Sequence, residues 1–331
     1  MSLTINHQTN VIQNSSGGLV VPGYPNSTTS TLPDDLATGE TYVGQTASTD
    51  KFGVPISSSL LSLADPIGSI VNINYGSMFT PVTASGGNST FTYVKDGGTY
   101  TARVFTASGN LVLSTSAILN ILVVGGGGGA GSNGGNGDVG GGGGGGVVYA
   151  TDVSVNAGTY TITVGAKGVA RWPDPDGSLG RPGTDGSSST VFIGSNYVAG
   201  GGGYGAYSVA GASGTPQSNS GGIRGGGGAG AVGTSNGGNG INISDYGLTA
   251  PVGSPAGWFG GGGAGIGGIG GLGGGGDSGG YGGAGVGWWV TITNVGNAVE
   301  NTGGGGGAAN SDAGRGGNGG NGIVIISYRS A

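Results

Sequence analysis

Near its C-terminus the chain reads "GGNGGNGIVIISYR" (residues 316–329), and the two halves of this stretch ask for different backbones. "GIVIISY" is a short apolar, β-branched run that reads as a strand. "GGNGGNG" has almost no side chain to bury, and glycine loses more backbone freedom on ordering than any other residue. Its main-chain N–H and C=O groups must therefore find partners outside the segment. Read at a period of three, the glycines occupy two faces, and Asn318 and Asn321 share the third. A polyglycine II helix fits this pattern: extended, left-handed, with about 3 residues per turn and no internal hydrogen bonds. Without side chains, such helices approach closely enough to bond one another in a lattice.

The same five residues, "NGGNG", occur at 133–137, 236–240 and 318–322, each downstream of a glycine-rich block. An interior helix needs glycine on all three faces, as in "GGGGGG" at 141–146, whereas an edge helix tolerates G-G-x. Asn133, Asn136, Asn236, Asn239, Asn318 and Asn321 are then the lattice rim, their amides completing hydrogen bonds at the edge. The plainer alternative is a run of Asn-Gly turns.

The first 120 residues hold 13 of the 89 glycines, so the remaining 211 hold 76. That shift divides the chain into residues 1–87 and 88–331. Glycine-rich sequence usually means a linker or disorder. Disordered chains are charged and poor in apolar residues, but this one is 34% hydrophobic and 7% charged. Its glycine blocks alternate with strand-like "ILNILVV", "TYTITVG", "SSTVFIG" and "WWVTITNV". Collagen requires glycine at every third position with abundant proline, and the blocks here break that rule. The expected fold is mainly β: an antiparallel sheet framework combined with a bundle of polyglycine II helices, preceded by an extended N-terminal segment.

Residues 1–87 are rich in Ser, Thr, Asn and Pro, with too little apolar sequence for a large core of their own. They read as an anchoring or oligomerisation segment. From residue 88 the pattern turns to strands, with "KDGG" and "ASGN" as hairpin turns and "GIVIISY" closing the same sheet. The first residues show neither a basic start nor an apolar core, so no secretory leader is expected. No apolar stretch is long enough to span a bilayer, so no membrane insertion is expected. A net charge of −6 with scattered Lys and Arg gives no stripe for nucleic acid.

Catalytic chemistry finds little support. There is no Cys, and His7 is the sole histidine, so Cys–His and Ser–His–Asp arrangements are not expected. GxGxxG matches are frequent only because glycine is, and none opens a helix after a strand. Asp174 and Asp176 in "PDPDG" resemble the start of a calcium loop but lack the later ligands; a turn is the simpler reading. The expectation is a non-enzyme with no metal and no cofactor.

The aromatic residues stand out. All four Trp residues lie in the glycine-rich part, at 172, 258, 288 and 289. Trp172, Tyr207 and the Trp258–Phe259 pair fall in segments that read as loops at the lattice ends, where recognition is usually placed. The alternative is that such rings cap the lattice; Trp288 and Trp289 sit in an alternating, strand-like stretch.

The succession "TYTARVFTASGNLVLS", "NILVVGGGGGAG", "AGTYTITVGAKG", "GTDGSSSTVF", "AGGGGYGA" and "GGNGGNGIVIISYR" resembles the glycine-rich domain of bacteriophage tail-fibre and virion proteins. It is also similar to the glycine-rich domain of the anaplastic lymphoma kinase receptor. The resemblance covers residues 88–331. It implies polyglycine II helices on a β framework, with distal loops that bind a host receptor, and it makes Trp172, Tyr207, Trp258 and Phe259 the receptor-binding candidates. It further implies a homotrimer in the virion, with a host surface glycan or outer-membrane protein as receptor. Residues 1–87, which the resemblance does not cover, are expected to contact other virion proteins. The main alternative is a purely structural tail, collar or head appendage. A weaker one is a capsule-degrading fibre enzyme.

Overall fold

The computed structural model describes residues 4–6, 11–13, 71–72, 82–95, 97–132, 139–171, 180–222, 224–244, 252–277, 296–309 and 315–330. The chain divides into two compact units, Met1–Pro81 and Val82–Ala331. In the first, β1 (Thr4–Asn6), β2 (Val11–Gln13) and β3 (Val71–Asn72) pair antiparallel in that order. The rest of residues 1–81, which carries most of the expected anchoring segment, falls outside the described residues. Residues 82–87 lie in the second unit, where β4 (Ala84–Ser85) pairs with β7 (Gly109–Leu113).

The second unit is mainly β, with two five-stranded antiparallel sheets. One has the order β5 (Ser89–Lys95), β6 (Gly98–Phe105), β15 (Ile323–Arg329), β8 (Ala117–Val124) and β9 (Val147–Val155). The other has the order β12 (Ser195–Ala199), β11 (Ser189–Ile193), β10 (Gly158–Thr163), β7 and β4. "GIVIISY" becomes β15 and lies centrally between β6 and β8, Ile325 facing Val104 on one side and Leu122 on the other. Its unbroken apolar run follows from burial on both faces, which removes any need for polar alternation. Val324, Ile326 and Tyr328 join Leu111, Ile162 and Val191 in the core between the sheets. Ile323 and Ile325 face the opposite way, into a second core with Leu122, Val124 and Phe259.

The "KDGG" turn closes the β5–β6 hairpin, with Lys95 opposite Gly98. "ASGN" does not close a hairpin. The strands it joins, β6 and β7, belong to different sheets, so the single sheet expected from sequence is two. The physical reason is burial: Leu111 and Leu113 of β7 fill the inter-sheet core opposite β8 and β15, which an extension of β6's own sheet would not do.

Strands run directly into glycine. β8 continues as residues 125–131, and residues 140–146 lead into β9. Residues 200–206 follow β12, and 316–322 precede β15. These glycine segments bond with a three-residue period. Gly125, Gly128 and Gly131 donate to Gly146, Gly143 and Gly140; Gly126 and Gly129 donate to Ser187 and Thr184; Gly127 and Ala130 donate to Gly320 and Gly317. Three successive residues thus address three different neighbours.

Residues 140–146 are the most enclosed. Their N–H groups donate, at 2.7–2.9 Å, to residues 200–206, to Arg224 and Gly227, and to Gly303 and Gly306. Their carbonyls accept from residues 125–131, from Gly211 and Gly214, and from Gly263. Six segments surround this one, every residue of it is buried, and none has a positive φ. The three-residue bonding period of these segments is the period of a polyglycine II helix. A Cβ on Gly143 would overlap the carbonyl oxygen of Ala212, which is why no larger residue fits there.

Candidate functional site

Hydrogen-bond register gives the lattice two ends. Pairs such as Gly125–Gly146 lie where the strands enter, and Gly131–Gly140 lies at the end remote from them. At that remote end Ser132 bonds Arg181, and Val139 forms a bridge with Tyr207. The chain leaves the described residues there at Ser132 and at Arg171. Trp172, Asn133 and Asn136, and also Asp174, Asp176, Trp288, Trp289 and His7, lie outside the described residues.

Tyr207 occupies a tight turn between residues 200–206 and 209–214. Ala206 and Val209 exchange both backbone hydrogen bonds across it, and Ser208 has φ +54°. "GGYGAY" is thus a lattice segment ending in a turn, rather than the loop expected from sequence. Within it, Gly200, Gly203 and Ala206 donate to Thr215, Ala212 and Val209, while Gly202 and Gly205 donate to Gly126 and Gly129. The remaining face carries Gly201, Tyr204 and Tyr207. Tyr204 is 43% exposed and Tyr207 55%. Three residues apart at about 3.1 Å each, they sit roughly 9 Å apart along the axis. The Tyr204 N–H on this outer face donates to Asp185 Oδ1 at 2.8 Å, so an acid completes the edge beside the ring. Val209 and Arg181 add an exposed apolar and a cationic side chain at the same end. Sequence reasoning made Tyr207 a receptor-binding candidate but not Tyr204; reading the G-G-x rule with Tyr as x would have added it.

Trp258 and Phe259 form β14 (Trp258–Phe259), which pairs with β13 (Ile241–Asn242). Phe259 is 0% exposed, and its assignment to a receptor-binding loop is corrected: it packs with Ile243 and Ala229 over the second face of β15 and β8. That sheet face must be covered, and an aromatic ring supplies the area. Trp258, its neighbour on the opposite side of the strand, is half-buried.

The described rim asparagines act as acceptors. Asn318 Oδ1 takes the Ala170 N–H and Asn321 Oδ1 the Lys167 N–H, both at 2.9 Å. Asn236 and Asn239 do the same for Ile269 and Leu272, at 3.0 and 3.1 Å. In each pair both the asparagines and their partners are three residues apart. Two further side-chain oxygens cap the same asparagines: Asn297 Oδ1 accepts the Asn318 N–H and Glu300 Oε2 the Asn321 N–H, while Glu300 also pairs with Lys167.

Among the described residues no group of three or more His, Cys, Asp or Glu side chains is placed to hold a metal ion. No helix among them is long and apolar enough to cross a membrane. Comparison with curated proteins finds none that matches. A profile of the glycine-rich domain matches residues 106–329, from the end of β6 to the end of β15. The span takes in β7 to β15 and the bonded glycine segments, leaving β4, β5 and β6 outside it, and on that match the chain belongs to the glycine-rich domain family.

Proposed function

We propose that this protein is a bacteriophage virion fibre or adhesin. In this reading the lattice is a rigid stem, and the end remote from the strands faces the host. Residues 1–87 attach the chain to other virion proteins, as part of a homotrimer, and no catalysis is assigned to it. The observation that carries the reading is the Tyr204–Tyr207 row: two exposed rings on a scaffold fixed by backbone hydrogen bonds on its other faces. Aromatic side chains held rigidly give large contact area at little entropic cost. The ligand class is a host surface glycan or an outer-membrane protein. Trp172 belongs to the same proposal because Arg171, its described neighbour, follows an Ala170 bonded to Asn318.

The test is binding of fluorescently labelled full-length protein to intact candidate host cells, beside the Tyr204→Ala/Tyr207→Ala double variant. Saturable binding that the double variant loses while keeping its circular dichroism supports the proposal. Binding unchanged in the variant removes the tyrosine row from it, and no binding to any susceptible host sinks it.

A structural-appendage reading has one observation in its favour. Phe192, 66% exposed, lies with Val112 and Val198 on the outward face of the β12–β11–β10–β7–β4 sheet, a surface suited to packing on another subunit. Loss of particle assembly, rather than of cell binding, on Phe192→Ser would favour it.

A further inference from the structure

The chain contains six Asn-Gly steps, and all six fall in the three NGGNG pentapeptides. Asn-Gly is the dipeptide most prone to spontaneous deamidation. The glycine nitrogen, unshielded by any neighbouring Cβ, attacks the asparagine Cγ. Ammonia leaves, and water opens the resulting succinimide to Asp or isoaspartate. One water is consumed, one ammonia is released, and nothing is oxidised or reduced. Two atoms must be free for this: the side-chain carbonyl, to swing onto its own backbone, and the following N–H.

Both are engaged at each of the four described steps. Asn236 Oδ1 accepts from the Ile269 N–H at 3.0 Å, while the Gly237 N–H donates to the Ile269 carbonyl at 2.9 Å. Asn239 and Gly240 clamp Leu272 in the same way, at 3.1 and 2.6 Å. On the other rim Asn318 Oδ1 takes the Ala170 N–H while Gly319 donates to Gly168, both at 2.9 Å. Asn321 takes the Lys167 N–H while Gly322 donates to Gly165, again both at 2.9 Å. In every case the electrophile and the nucleophile of one step are pulled onto the same neighbouring segment. Asn236 and Asn239 are exposed and Asn318 and Asn321 half-buried, so water reaches these side chains. The hydrogen bonds, not burial, hold them.

We propose that the rim asparagines are latent isoaspartate sites silenced by the lattice, so that modification there marks a lattice that has opened. Opening releases both atoms together. An isoaspartate then adds a methylene to the backbone, breaks the three-residue register and prevents the edge from closing again. The modification therefore records damage irreversibly, independently of what the protein binds.

The experiment incubates full-length protein at mildly alkaline pH, folded and in denaturant, and follows each Asn-Gly peptide by mass spectrometry with isoaspartate detection. At positions 236, 239, 318 and 321 the folded protein should react more than about tenfold slower, a local opening free energy above about 1.4 kcal/mol. Asn236 and Asn239 should be protected as well as Asn318 and Asn321 despite their exposure. In Leu272→Pro, which removes the N–H held by Asn239, Asn239 should react faster while Asn318 and Asn321 stay protected. Equal rates in folded and denatured protein would overturn the proposal. Protection that follows exposure, with 236 and 239 reacting fast, would overturn it as well.

Discussion

The N–H of Gly128 donates to the carbonyl oxygen of Gly143 at 2.9 Å, and the same two segments meet again three residues on in each direction, at Gly125–Gly146 and at Gly131–Gly140. Side-chain burial supplies nothing at these contacts. The entropy lost by ordering glycine is offset by a backbone network in which N–H and C=O groups are both paired, each bond contributing about 1 kcal/mol net. The lattice therefore depends on close approach, and its weak points follow from that.

Gly143→Ala should be severely destabilising, by about 3 kcal/mol or more, because its Cβ meets backbone that cannot step aside. Gly109→Ala is the control. The nearest atoms to a Cβ there belong to the Phe105 ring at 4.0 Å, so its cost should stay below about 1 kcal/mol. Urea denaturation midpoints of the two variants check the contrast.

At the rim, charge should separate two otherwise matching asparagines. Asn318 Oδ1 also accepts from Arg315 Nη2 at 2.9 Å, so Asn318→Asp keeps its acceptor and gains an ion pair; its stability should change little. Asn321 lies against Glu300, whose Oε2 accepts the Asn321 N–H at 3.4 Å. Asn321→Asp should be destabilising by about 1 kcal/mol, and less so at high salt. Thermal melts at low and high ionic strength read both effects.

Phe259 and Tyr207 should part company on stability. Phe259→Ala empties part of the second core and should cost about 3–5 kcal/mol. Tyr207→Ala removes an exposed ring and should stay within about 0.5 kcal/mol. Chemical denaturation of the two variants would contradict the burial of Phe259 if their costs were alike.

Tyr93 predicts alkaline behaviour. Burial pushes its phenol above the usual range, partly offset by hydrogen bonds with Ser327, at 2.8 Å, and Asn120. The folded state thus holds this proton more tightly than the unfolded one. The associated stability is intact below the unfolded value of about 10 and is lost as pH rises through and beyond it. Across that range the parent protein should lose stability more steeply than Tyr93→Phe; parallel curves would contradict the assignment.

Much of this architecture is legible in the residues. "GIVIISY" announces a strand buried on both faces, and the "GGGGGG" at 141–146 announces a segment that no side chain may enter. The asparagine spacing in "GGNGGNG" matches the spacing of the N–H groups that Asn318 and Asn321 receive. What could not be read is partner choice. "ASGN" has the chemistry of a hairpin turn, yet which sheet β7 joins is decided by where Leu111 and Leu113 find cover. Phe259, flanked by glycine and without periodicity, looks like a loop residue until the uncovered face of β15 is known. "GGYGAY" likewise hides a lattice edge behind two aromatic rings.

The most direct test of the lattice is amide hydrogen exchange, by NMR on isotope-labelled full-length protein, across residues 140–146. These residues carry no side chains and lie outside any sheet, so a loop would exchange them rapidly. With every N–H donated to a neighbouring segment, all seven should exchange as slowly as the amides of β15. Rapid exchange throughout residues 140–146, with β15 still protected, would contradict the lattice and the rigid stem proposed from it.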